Sequence, residues 1–171
     1  MSDPQAILVT GVYGTGKSTV VADIADLLDP GPDTYAAIDL DWLWWSNSPR
    51  TGPDDHGLLL RNLASVVAND RAAGVDRFVL AWFVAEREVV DAIRAAIGMP
   101  LFVVRLTVPL AVIEARLGDA PDAGRANDLE VARRSLARDV GVGLEDAVVP
   151  NDGPIRETSI RVLEAAGWPV P

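Results

Sequence analysis

Residues Gly11, Val12, Tyr13, Gly14, Thr15, Gly16, Lys17 and Ser18 satisfy the spacing G-x-x-x-x-G-K-[S/T] at every fixed position. Each residue type has a chemical reason to be there. The glycines allow backbone angles and close approaches that a Cβ would block. The loop's N–H groups can then converge on phosphate oxygens, assisted by the N-terminus of the helix that follows. Lys17 supplies a mobile point charge for β- and γ-phosphates. Ser18 offers an oxygen of the kind that Mg²⁺ prefers. Thr19 extends the phosphate-binding set by one residue. The plain alternative is a glycine-rich turn that happens to contain Lys-Ser. Against it, the motif follows a predicted strand and opens a predicted helix, the context such a match requires. The chain holds 14 arginines and one lysine, and the lysine is Lys17.

Asp39 and Asp41 form a second set, at the end of the apolar run that starts at Tyr35. Transfer of a phosphoryl group needs an acceptor oxygen in line with the phosphorus and a carboxylate able to take its proton. Two residues apart, these side chains point to the same side if the strand continues. An ordinary strand-to-helix cap with one aspartate is the simpler explanation. Other classes of nucleotide-binding protein fit less well. Guanine readout by N-K-x-D needs a second lysine, which the chain lacks. Motor ATPases place Asp-Glu at the end of an apolar strand beside the phosphate loop; the run from Arg77 to Val84 has no such aspartate, and Glu86 is a poor substitute.

With these motifs the chain resembles the P-loop small-molecule kinases of the nucleoside-monophosphate-kinase-like group. Shikimate, gluconate and adenylylsulfate kinases and chloramphenicol phosphotransferases belong to it. The resemblance covers nearly the whole chain in element order. It rests on the loop from Gly11 to Ser18, on Asp39-Leu40-Asp41, and on the arginine-bearing segment 116–125. It implies ATP and Mg²⁺ as cofactors, with Ser18 and Asp39 holding the hydrated metal. Asp41 would bind or deprotonate the acceptor hydroxyl. The segment at about 116–127 would form a short lid, a loop between two helices. From it Arg125 would reach the transferring phosphate, and Arg116 would contact phosphates or stack on adenine. Arginine suits this task through its fixed fork and permanent charge. The competing reading is exposed arginines pairing with Glu114, Asp119 or Asp122, contacts worth about 0–1 kcal/mol. Arg133 is a further candidate. The turn Val149-Pro-Asn-Asp-Gly153 would lie beside adenine, although its composition already explains a plain turn.

The acceptor side is marked by Trp42, Trp44 and Trp45 directly after Asp41, and by Trp82 in the third apolar run. Tryptophan offers a large flat contact area, which suits an acceptor with an aromatic or apolar body bearing a hydroxyl. Alternatively the rings pack the segment after the second strand against the sheet. Arg50 and Arg61 occupy the segment where shikimate kinases place acceptor-binding arginines. A gluconate- or shikimate-type pocket would want several cationic groups, from which the tryptophans depart. Adenylylsulfate stands as an alternative acceptor, because aromatic rings could stack on its adenine. His56, the single histidine, reads as a surface or capping residue.

The elements that must position these residues alternate along 171 residues. Strands are predicted at Ala6–Thr10, Tyr35–Ile38, Arg77–Val84, Leu101–Thr107 and Ala147–Val149. Helices are predicted between them: from Gly16, at about 57–73, over Glu86–Ile97, over Pro109–Leu117, from Asn127 to about Val140, and over Ile155–Ala166. The expectation is a single α/β domain spanning 1–171, with a three-layer, doubly wound, five-stranded and mainly parallel sheet of the P-loop NTPase fold. Its ligand should sit beyond the carboxyl ends of the strands. The net charge of −10 disfavours nucleic acid as partner. No run is long enough to span a membrane, there is no signal-peptide pattern, and the chain has no cysteine. These features suit a cytoplasmic protein, monomeric or homodimeric. The function expected is ATP-dependent phosphotransfer to a small-molecule hydroxyl acceptor. The alternative is a nucleotide-binding regulatory or interaction protein with little or no ATPase activity.

Overall fold

The computed structural model describes residues 5–45, 56–118 and 123–170, with 123–126 described through the backbone only. Its strands are β1 (Gln5–Thr10), β2 (Tyr35–Asp39), β3 (Arg77–Ala81), β4 (Leu101–Thr107) and β5 (Ala147–Pro150). Its helices are α1 (Lys17–Leu28), α2 (Asp41–Trp44), α3 (Gly57–Ala72), α4 (Arg87–Ile97), α5 (Leu110–Gly118), α6 (Ala123–Ala137) and α7 (Ile155–Ala165). The strands form one sheet in the order β2-β3-β1-β4-β5, and all four pairings are parallel. A fully parallel sheet must be covered on both faces, and the pattern of β1 shows how this is met. Ala6 and Leu8 face a core with Leu59, Leu63, Val90 and Ile93 of α3 and α4. Ile7 and Val9 face the opposite core with Val20, Ile24, Val162 and Leu163 of α1 and α7. A third, smaller cluster joins Val12 to Ile113, Leu117 and Ala132. It fastens the loop after β1 to α5 and α6.

The central position of β1 follows from the crossovers. The chain leaves β1 through α1 to the edge strand β2, returns to β3, and then passes to the other side of β1 at β4. The carboxyl end of β1 therefore opens between β3 and β4, where ligands of such sheets bind. Among the described residues no helix is long and apolar enough to cross a membrane.

Three boundaries differ from expectation by three residues or more. The third strand stops at Ala81, not Val84, because its neighbour β1 ends at Thr10 and turns into the phosphate loop. Trp82 still donates its backbone N–H to the Val9 carbonyl at 3.2 Å, but Val84 donates to the Thr10 Oγ1 at 3.1 Å. A side chain has replaced the missing strand partner. Second, the expected 118–127 loop is shorter, because α6 begins at Ala123. Ala, Arg, Leu and Glu in its first turns favour helix, and Pro121-Asp122 before it suits a helix start as well as a loop. Third, α6 ends at Ala137, where Val140 donates back to the Ser135 carbonyl at 2.9 Å and Asp139 takes a left-handed φ of 51°.

Candidate active site

The phosphate loop lies between the end of β1 and the start of α1. Gly14 has φ 82° and Gly16 φ 88°, both left-handed. A Cβ on Gly14 would stand 2.9 Å from Ile113, and one on Gly16 would stand 2.7 Å from the Asn151 amide. Glycine is thus required twice over, by backbone angle and by space. Gly16 is also the N-cap of α1, and no side chain caps that helix. The first-turn N–H groups of α1 are left for a ligand, and helix N-termini favour anions. Thr15, buried, ties the loop to itself by donating to the Val12 carbonyl at 2.8 Å.

Lys17 folds back over the loop and donates to the Gly11 and Val12 carbonyls at 3.0 and 3.3 Å. Its ammonium also lies 5.3 Å from the centre of the Tyr13 ring. Burial lowers its pKa to about 8, against the opposing pull of Asp41, Asp39 and Asp128. Phosphate oxygens in the loop would meet a cation already stripped of much of its water.

The two aspartates are brought together differently from the strand-periodicity argument. β2 ends at Asp39 and the chain turns at once into α2, so strand alternation no longer sets where Asp41 points. Instead the Asp39 Oδ1 accepts from the Asp41 backbone N–H at 3.1 Å. The Asp39 Oδ2 accepts from the Ser18 hydroxyl at 2.5 Å. Asp41 lines the same cavity as Tyr13, Gly14, Gly16, Lys17, Ser18, Thr19 and Arg116, about 350 Å³ in volume. Its pKa is raised, mainly by loss of hydration and then by Asp39, while Lys17 and the nearby Trp82 indole pull the other way. Asp41 keeps solvent access through the mouth of the cavity even as its protein neighbours remove part of its hydration. A second, more enclosed cavity of about 110 Å³ lies against Thr10, Gly11, Val12, Phe83, Val84 and Leu136. It touches neither Lys17 nor the aspartates.

Arg116, on α5, reaches the loop. Its guanidinium donates to the Gly14 carbonyl at 3.2 Å and to the Asn151 carbonyl at 2.9 Å. It sits on a helix, so it is not part of a flexible loop. Arg125 lies within α6 rather than in a loop, and its side chain is outside the described residues, as is Arg50. Arg133 is spent on an ion pair with Glu114 at 2.7 Å, joining α6 to α5. Arg61 is exposed on α3.

The tryptophans divide. Trp82 is buried beyond the end of β3, and its ring meets His56 edge-on. Trp44 packs against the core that covers α3 and α4. Trp42 and Trp45 are 71% and 79% exposed, their ring centres 5.2 Å apart. They face water, so packing on the sheet does not account for them. His56 is the N-cap of α3 and stands between the rings of Trp44 and Trp82, at 5.5 and 4.9 Å. The capping position is as expected, but its aromatic setting is not.

Two contributors escaped sequence reasoning, and a third was seen only in part. Asp128, on α6, acts electrostatically on Lys17, Asp41 and Tyr13. No motif surrounds it; only the docking of α6 over the loop brings it near. Phe83 packs on Tyr13 at 5.9 Å. Asn151 is fully buried and donates to the Thr15 carbonyl at 2.7 Å. Its place after the last apolar strand was a signal for proximity to the ligand, but not for bracing the loop.

The oxygen donors present suit Mg²⁺. That ion keeps several waters and takes one or two protein oxygens plus phosphates, and Ser18 with Asp39 offers such a pair. Among the described residues no three acidic or histidine side chains gather into an all-protein metal cage. The loop likewise suits a nucleoside triphosphate, through its uncapped helix end and its glycine-lined cradle.

No protein-family model matches the sequence, and no curated sequence relative matches it. Solved structures do match. A sugar kinase from Janibacter sp. HTCC2649 superposes with a TM-score of 0.67 at 20% identity, covering 97% of this chain and 95% of the other. A gluconokinase from Sinorhizobium meliloti 1021 gives 0.60 at 21% identity, covering 98% and 94%. The APS kinase of Mycobacterium tuberculosis, solved in complex with AMPPNP and APS, gives 0.60 at 20% identity, covering 98% and 99%. The fold is that of the P-loop small-molecule kinases. At these identities the likeness concerns the fold, and function must be argued from the site.

Proposed function

We propose that this protein is an ATP-dependent phosphotransferase that moves the γ-phosphoryl group to a hydroxyl of a small molecule. The observation that carries the reading is the single cavity shared by Lys17, Ser18 and the Asp41 carboxylate, at the carboxyl end of β1. The loop N–H groups and Lys17 hold the phosphates, and Ser18 with Asp39 holds the metal. Mg²⁺, when bound, neutralises charge on the β- and γ-oxygens. Asp41 orients the acceptor hydroxyl and accepts its proton as the new O–P bond forms and the bond to the β-phosphate oxygen breaks, releasing ADP. Its raised pKa helps it to take that proton. Arg116 stabilises the phosphates from the α5 side, and Arg125 is assigned the same task from α6. The acceptor lies beside Asp41, against Trp42 and Trp82, and its body is apolar or aromatic. Arg50 is assigned to this acceptor side. Several acids face this region and the net charge is −10, which speaks against polyanionic acceptors and nucleic acid.

The test is ADP release from Mg·ATP across a panel of hydroxylated antibiotics, sugars, shikimate, adenylylsulfate and nucleosides. At least one uncharged or apolar-bodied acceptor should stimulate release well above the rate with water. Tight ATP binding with no stimulation by any acceptor would favour a nucleotide-binding regulator instead.

A further inference from the structure

We propose that the enclosed cavity between the phosphate loop and the turn after α6 is a binding site for a small, uncharged, largely apolar molecule, and that its occupancy is linked to nucleotide binding at the loop. The cavity, of about 110 Å³, lies against the ends of β1 and β4, Phe83–Val84 and residues 135–142. Most of its wall is apolar, with Val12, Phe83, Val108 and Val140 among the side chains. Leu136 and Val142 also line it and are 37% and 50% exposed. They put apolar surface at the rim, where a ligand of the same character would enter. The polar groups are few, as in other small-molecule sites. Ser135 is 8% exposed, and its hydroxyl bonds to none of the described residues. The Thr10 Oγ1 accepts from the Val84 N–H at 3.1 Å, which leaves its own proton to donate. Charge on the wall disfavours anions. Arg105 is compensated by Glu145 at 2.8 Å, whereas Asp139 has no ion-pair partner among the described residues. A carboxylate or phosphate would stand beside an unpaired aspartate; a neutral molecule avoids that repulsion.

The cavity is held open by fixed elements. The turn beside it takes left-handed angles at Asp139, Gly141 and Gly143. A Cβ on Gly141 would stand 2.6 Å from the Val84 carbonyl, so the turn lies directly on the segment after β3. Arg87 donates to the Gly143 carbonyl at 2.6 Å, and Glu145 accepts from the Gly143 N–H at 2.8 Å. The facing wall is the phosphate loop itself, at Gly11, Val12 and Thr15. The Gly11 and Val12 carbonyls accept from Lys17, and Val12 also accepts from the Thr15 hydroxyl. A ligand against this wall touches the residues that set Lys17, so the two sites share a coupling free energy that acts in both directions. Scaled from the ~150 Å³ cavity that takes benzene, this one holds about four or five carbon atoms, plus whatever lies in its mouth.

Cyclopentanol is the probe, with cyclopentanecarboxylate as its charged counterpart. In the ¹⁵N-labelled full chain, cyclopentanol should shift the amides of Val12, Val84, Ser135 and Val140 along one saturable curve, with Kd on the order of millimolar. The carboxylate should bind about tenfold more weakly or worse. Leu136→Trp, or Val142→Trp on the other side of the rim, should abolish saturation, whereas Leu136→Ala should keep it. Near-saturating cyclopentanol should change the Kd of a non-hydrolysable ATP analogue with Mg²⁺ by about twofold or more in calorimetry. Lack of saturation in the wild type, equal binding in both tryptophan variants, equal binding of the carboxylate, or an unchanged analogue Kd overturns the proposal. None of these readouts uses turnover, so the proposal and the phosphotransferase reading can fail separately. Such a molecule is either a separate effector or the apolar end of the acceptor. Competition between cyclopentanol and an acceptor that stimulates ADP release marks the second source, and its absence marks the first.

Discussion

Asp41 and Asp39 are two residues apart in sequence and take different partners. Asp39 bonds to Ser18 and to the backbone of the next turn, which suits a residue that organises a metal and a loop. Asp41 faces the cavity and feels Lys17. This division predicts distinct losses. Asp41→Asn keeps the shape, removes the proposed proton acceptor, and should lower acceptor-dependent turnover by about 10²–10⁴-fold, with ATP affinity within a factor of two or so by calorimetry. Equal loss of affinity and turnover would instead give Asp41 the metal-holding role. The sequence marked both carboxylates, because an apolar strand ending in aspartates is a visible pattern. It could not separate their contacts, because those depend on Ser18, 21 positions before Asp39, and on the immediate turn into α2.

At the scale of elements, the site is a junction of β1, α1, α5 and the β5–α7 turn. The Arg116 guanidinium spans from Gly14 to Asn151, and the Asn151 amide reaches Thr15. Together they clamp the phosphate loop from the side opposite its own helix. Asn151→Ala should therefore weaken ATP binding, by about tenfold, and reduce stability by about 1–3 kcal/mol through the unpaired buried groups it leaves. Calorimetric titration and urea unfolding measure the two effects; unchanged ATP affinity would mean that the brace does not shape the loop. Most strands and helices were legible because apolar runs and helical stretches alternate so regularly. The failures fall where tertiary partners decide. β3 stops three residues early because β1 has turned away. α6 starts early because Ala and Arg sustain helix where Gly124 suggested a loop. The aromatic setting of His56 depends on Trp44 and Trp82 meeting from separate elements, and no local pattern carries that.

Across the whole molecule, the parallel sheet fixes where chemistry can occur. The order β2-β3-β1-β4-β5 gathers the phosphate loop, Asp39-Leu40-Asp41, Trp82 and Asn151 at one end of the sheet, from four segments spread over most of the chain. That convergence was implied by the alternation of elements, whereas Asp128 became visible only once α6 was placed. In a molecule of net charge −10 with one lysine, attraction for the proposed triphosphate would be concentrated in the loop, Lys17 and Arg116. Phosphotransfer through the loop is put to the test by ADP formation from Mg·ATP with a stimulating acceptor, comparing wild type with Lys17→Ala. Turnover should fall on the order of 10³-fold with an almost unchanged unfolding temperature. Undiminished turnover in a folded Lys17→Ala protein would contradict it.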